Sequence, residues 1–185
     1  MDLQEKTAGI VQLCLGETDT NPYAIFHHLA ATDYVSIHGP EHHVLDGACL
    51  LTAYRNAGGS IDLPAALEKL RKEGERMPGA ICGLWGVCGA VLSVGCALAI
   101  LDGTGPLSED GSWGEHMSYT ARALEKIAGT YGPRCCKRDG MLALSVGIDY
   151  IREKKGVVLG TEGAVCGYSA RNSQCIHGKC PYYKP

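Results

Sequence analysis

Apolar positions recur along this chain at helical spacing, and the breaks between them are marked by glycine and proline. Residues 42–57 (HHVLDGACLLTAYRNA) follow Gly39-Pro40 and stop at Gly58-Gly59, where a glycine can take the left-handed cap position. In residues 62–77, Leu63, Leu67, Leu70 and Met77 form one apolar stripe opposite Glu, Lys and Arg. With Asp62 or Ser60 as N-cap and Pro64 in the first turn, that pattern predicts an amphipathic surface helix. Ser112-Trp113-Gly114-Glu115 reads as a capping box opening a helix to about Tyr131. Pro133 leads into another helix, from Cys135 to Lys155, closed by Lys154-Lys155-Gly156. Val157–Leu159 could form a short strand but has no evident partner.

The stretch Gly79–Leu101 is uncharged for 23 residues, enough to span a bilayer. It carries five glycines and three cysteines, however, with no aromatic belt at either end, and the chain offers no second span. A buried helix over 83–101, stopped by Asp102-Gly103, explains the same hydropathy. The expected fold is therefore all-α: a compact multi-helix bundle around a buried Gly/Cys-rich central helix, with a Cys-rich C-terminal loop. One domain, 1–185, is expected. Within it lie an N-terminal segment (1–37), a helical core (38–156) and a Cys-rich, metal-binding loop (157–185).

Charge removes one class of function. Seventeen basic and 20 acidic residues give a net charge of -3 with no basic block, so nucleic-acid binding has no electrostatic footprint. The first residues, MDLQEKTAGIVQLCLGETD, lack the basic start and apolar run of a secretion signal, so a cytoplasmic protein without membrane insertion is expected. Ten cysteines in such a chain point to metal or redox chemistry rather than to a disulfide scaffold.

Those cysteines fall into three groups. Cys166, Cys175 and Cys180-Pro181 lie in a glycine-rich loop able to wrap a metal, and need a fourth ligand from Cys135, Cys136 or a histidine such as His177. Cys135 and Cys136 sit at a helix start beside Arg134, Lys137 and Arg138, where dipole and cations favour a low-pKa thiolate, either nucleophile or ligand. Cys82 and Cys88 can meet one cofactor only if the glycine-rich stretch between them is irregular; Cys96 reads as core. Among the histidines of His38-Gly-Pro-Glu-His42-His43, His42 shares a helix face with Asp46 and Cys49, and a helix N-terminus keeps the rings neutral. The helices starting near Pro40 and Pro133 are thus expected to bring His42, His43, Cys135, Cys136 and Arg134 into one pocket suited to a small anion.

The His38–His43 motif, Leu50–Gly59, the Cys82–Gly89 segment, Pro133–Arg138 and the cysteine-bearing ending together resemble a domain family of unknown function from archaea and anaerobic bacteria. Members are sometimes attached to S-adenosylmethionine-dependent methyltransferases, so the resemblance implies a methyltransferase or redox partner but brings no activity. A weaker similarity is to redox proteins with a Cys…Gly-Cys-Ala-x-x-Gly…Cys…Cys pattern, from which this chain departs at Ile100. The leading expectation is an iron–sulfur (4Fe–4S) or thiol-redox protein, and an enzyme of anaerobic sulfur or one-carbon metabolism fits it. The alternatives are a zinc-stabilised interaction module and a metal-free Cys/His thiolate enzyme; a homo-oligomer is compatible with each.

Overall fold

Two helices that the hydropathy left unassigned open the chain. The computed structural model describes all of residues 1–185, and it begins with α1 (Leu3–Gly16), set by a capping box in which the Asp2 carboxylate accepts from the Glu5 amide and Glu5 returns the bond. α2 (Pro22–Ala30) follows, capped by Asn21, whose side chain accepts from the Tyr23 amide. Ile10, Cys14, Ile25, Phe26 and Leu29 are all buried, so residues 1–37 belong to the core rather than to an appendage.

The remaining elements are α3 (His42–Asn56), α4 (Leu63–Glu75), the single turn α5 (Ile81–Leu84), α6 (Gly89–Asp102), α7 (Ser112–Ala128) and α8 (Cys136–Tyr150). A π-helical turn, Ile151–Lys155, extends α8 to the left-handed Gly156. Several boundaries fall where the sequence marks them: Asp62 caps α4 through the Ala65 amide, Gly58 is left-handed beyond α3, and Gly103 terminates α6. No strand forms. Val157–Leu159 runs unpaired, and the one β-bridge joins Cys166 to Tyr183.

Two expectations are corrected. The uncharged stretch is not one helix over 83–101: it breaks after Leu84, where Gly86 is left-handed, and α6 starts at Gly89. No helix is long and apolar enough to cross a membrane. The capping box at Ser112 does not form either, because the cap is the left-handed Gly111 and Ser112 donates backwards to Asp110.

The Gly/Cys-rich helix α6 packs at the centre beside α3, of whose 15 residues 13 are buried. Their contact is unusually close. Gly47 of α3 lies against the main chain at Ser93, where a β-carbon would overlap the carbonyl oxygen, and its amide donates to Ser93 Oγ at 2.9 Å. Gly140 of α8 meets side chains instead, leaving room for the Asp46 carboxylate of α3. Glycine thus lets α3, α6 and α8 start side by side.

Candidate functional site

Four thiols line one small cavity. Three come from the C-terminal loop, Cys166, Cys175 and Cys180, and the fourth is Cys135, the N-cap of α8. The loop returns to the core through the Cys166 amide, which donates to the Tyr182 carbonyl at 2.6 Å, and turns on two short 3₁₀ segments, Ser169–Arg171 and His177–Lys179. Three of the four sulfurs accept N–H bonds: Cys166 from the Tyr168 amide (3.4 Å), Cys175 from the His177 amide (3.3 Å), and Cys135 from the Asn172 side chain (3.4 Å). Sulfur is a weak acceptor as a thiol and a good one as a thiolate, so this loop is shaped for anionic sulfur.

The fourth sulfur corrects an expectation. Cys136 does not join Cys166, Cys175 and Cys180. One residue on from Cys135 it is rotated to the other side of the α8 start, into a second cavity of about 60 Å³. His42, His43, Cys82, Cys88, Cys136, Arg134 and Asp139 line that cavity. The expected meeting of both histidines with a cysteine of the pair therefore occurs at Cys136, while Cys135 faces away. His177 lies outside both cavities, edge-on to Tyr183. Cys49 shares the His42 helix but is fully enclosed in the core.

Three helices, not two, begin at the second cavity. Gly39, Pro40, His42 and His43 belong to the start of α3, Cys136 to that of α8, and Cys88-Gly89-Ala90 to that of α6. None of the three N-caps (Glu41, Cys88, Cys135) uses its side chain to cap the helix. The His43 ring packs against Gly89, at a spacing that any β-carbon there would close, and its Nδ1 is 3.3 Å from the Met77 carbonyl.

A polar chain joins the two cavities. The Cys136 amide donates to His38 Nδ1 (3.5 Å), which places a proton on Nε2 for Asn172 Oδ1 (3.1 Å), and Asn172 Nδ2 donates to Cys135 Sγ. Alongside it, Arg138 faces the four-thiol cavity and pairs with Asp139 at 2.9 Å, while Asp139 faces the other. Asp139 also accepts from the Cys135 amide at 3.2 Å, tying the pair to the α8 start.

A family model described as a family of unknown function (DUF5714) matches residues 10–183. The chain belongs to DUF5714. No curated protein and no solved structure matches it. All seven cysteines of the two cavities, together with His38, His42, His43, Asn172 and Lys137, fall within the region that DUF5714 spans.

Thiol acidity runs against the expectation of a free thiolate at Cys135 or Cys136. Burial pushes Cys136 up to about 11 and Cys88 up to about 12, and raises Cys135 as well. Backbone amides near each sulfur, and Arg134 or Arg138, pull in the other direction without overcoming desolvation. Without a metal these sulfurs are protonated at neutral pH; a metal ion is what converts such buried thiols to thiolates.

Beneath the second cavity lies a buried group that sequence alone did not single out. Lys137 is fully enclosed, its Nζ donating to the Ser36 carbonyl (2.9 Å) and to His42 Nε2 (3.1 Å), and standing 5.2 Å from the centre of the Tyr168 ring. On the other side of His42, Nδ1 is 3.7 Å from Asp46 Oδ1, too long for a hydrogen bond. Neither that nitrogen nor either Asp46 oxygen has a partner. Burial lowers His42 to about 3 and raises Asp46 to about 8, so the two stand as a neutral imidazole beside a neutral carboxyl. Burial also lowers Lys137 to about 8.

This arrangement has a pH signature. The contribution of neutral His42 is complete above its ordinary value of 6.5 and is lost as pH falls toward 3, because the unfolded chain takes up a proton that the fold refuses. The contribution of protonated Asp46 is complete below 3.8 and is lost as pH rises toward 8. Between those ordinary values the slopes oppose, each worth about 1.4 kcal/mol per pH unit. Asp46→Asn removes one of them. Thermal melts between about pH 6.5 and about pH 4.5 should show the variant losing stability more steeply than the parent on acidification. Parallel curves would contradict the neutral pair.

Proposed function

We propose that this chain is an iron–sulfur protein of the reducing cytoplasm, with a 4Fe–4S cluster ligated by Cys135, Cys166, Cys175 and Cys180. The observation that carries the reading is the cavity itself: thiols from two distant parts of the chain face one space, and three of them already accept N–H bonds. Packing does not require that convergence, since Cys14 and Cys49 show how this fold buries a cysteine as a small hydrophobe. Four thiols around one space match the ligand number of a 4Fe–4S cluster.

Such a cluster supplies one-electron transfer when bound. The chain's own residues account for the rest. Asn172 and the amides of Tyr168 and His177 hold the sulfurs as acceptors, and the buried cations Lys137 and Arg138 offset the negative charge that four thiolates bring. Arg134, at the mouth of the adjoining cavity, can pair with a carboxylate or an inorganic oxyanion, making a small anionic substrate the natural ligand there. A redox protein or a methyltransferase is the matching class of partner.

Protein purified without oxygen tests the reading. Broad absorbance near about 400 nm that bleaches with dithionite is expected of thiolate-bound iron. A colourless protein carrying zinc would replace the proposal with the structural-module alternative, and a colourless protein without metal would return the thiols to metal-free chemistry.

A further inference from the structure

We propose that Cys82, Cys88 and Cys136 ligate a second iron–sulfur cluster, one of whose irons is left without a protein thiolate and faces the open groove. This extends the reading of the four-thiol centre as iron–sulfur and rests on it.

Three elements unrelated in sequence deliver the sulfurs: the turn α5, the N-cap of α6 and the first residue of α8. The break between α5 and α6 is what allows it. A continuous helix would carry Cys82 and Cys88 to different faces about 9 Å apart along its axis, whereas the left-handed Gly86 brings both to one cavity. The surroundings favour an anionic group. The positive ends of α3, α6 and α8 all meet here, and none of the three N-cap side chains caps its helix, although the Cys136 amide of α8 is taken by His38 Nδ1. Glu41, the N-cap of α3, spends its carboxylate on the Ser36 amide at 2.7 Å. The one carboxylate lining the cavity, Asp139, is already paired with Arg138.

Three thiols leave one corner of a four-iron cluster free. Cys82, Cys88, Arg134 and Asp139 line both this cavity and a wider groove of about 560 Å³ walled by Leu124, Ile127 and Tyr131, so a ligand can approach from that side. Arg134 lines the same cavity and supplies a cation for a carboxylate or oxyanion bound to the open iron. The consecutive residues Cys135 and Cys136, with Asn172 and His38 bonded between them, give electrons a short covalent and hydrogen-bonded route from the four-thiol centre to this one. Seven cysteines thus divide into four and three, with the second centre as the reactive one.

Iron and acid-labile sulfide per chain, measured on the full chain purified and reconstituted without oxygen, decide it. The parent should hold about eight irons, and both the Cys82→Ser/Cys88→Ser/Cys136→Ser and the Cys166→Ser/Cys175→Ser/Cys180→Ser proteins about four. Cys82→Ser alone, on a partly exposed turn, should lose the same half while keeping the helical circular dichroism of the parent, which guards against loss through unfolding. Parent-level iron in the Cys82→Ser protein would overturn the second centre. About four irons in the parent, lost only with the C-terminal cysteines, would overturn it while leaving the first centre standing. Four irons lost only with Cys82, Cys88 and Cys136 would instead overturn the first, and with it the two-centre arrangement.

Discussion

In the Cys175→Ser protein the C-terminal loop comes loose. Beyond Gly156 the chain buries only Leu159, Tyr168 and Asn172, and its hydrogen bonds to the rest of the fold include the Gly160 amide on the Thr20 carbonyl, the side-chain bonds of Asn172 and Asn21, and the Tyr168 hydroxyl 3.0 Å from His27 Nδ1. On the proposed reading, the shared centre adds to these few contacts in holding residues 166–180, and at such a site binding energy is folding energy. A centre populated a hundredfold above its dissociation constant contributes about 2.7 kcal/mol to the state that binds it. Losing one ligand of four should remove that contribution locally. Trypsin should then cut after the exposed Arg171 and Lys179 roughly 100-fold faster than in the parent, while α1–α8 keep their circular dichroism. Equal resistance to trypsin, with metal content unchanged, would show that Cys175 is not a ligand.

Gly47→Ala should be the most damaging single methyl group in the core. A β-carbon at Gly47 meets a backbone carbonyl of the neighbouring helix, not the end of a flexible side chain, so α3 and α6 must move apart. Separation would also weaken the bond from the Gly47 amide to Ser93 Oγ. Overpacking of this kind costs typically 1–3 kcal/mol, and the better helix propensity of alanine returns up to about 1. We expect a net loss of about 1 kcal/mol, or roughly 2–4 °C in Tm for a chain of this length. Gly16→Ala is the control: it ends α1 with open space around it, and should be neutral or mildly stabilising. Equal melting of the two variants would contradict the close α3–α6 contact.

How much of this could be read beforehand divides along physical lines. Local signals did well: Asp62-Leu63-Pro64, Gly58, Gly103 and Gly156 each act through a few neighbouring dihedrals and stand where the structure uses them. The starts of α1 and α2 carry equally local signals in Asp2…Glu5 and Asn21-Pro22, a capping box and an N-cap followed by proline. The break at 85–88 lay within a uniformly apolar run, where hydropathy cannot tell one helix from two pieces. Which of two adjacent cysteines faces which cavity depends on a rotation of about 100° at a helix start, fixed by how α8 docks on α3 rather than by local sequence. Lys137 is the extreme case. Flanked by cysteines and arginines it reads as a surface cation, and only the tertiary fold encloses it between His42 and Tyr168.

The proposed centre places four sulfurs around iron. X-ray absorption at the metal edge, recorded on protein isolated without oxygen, addresses that directly. It should find iron in a sulfur shell at about 2.3 Å together with scattering from neighbouring irons. Zinc in a shell of four sulfurs at about 2.3 Å, with no metal–metal scattering, would contradict it.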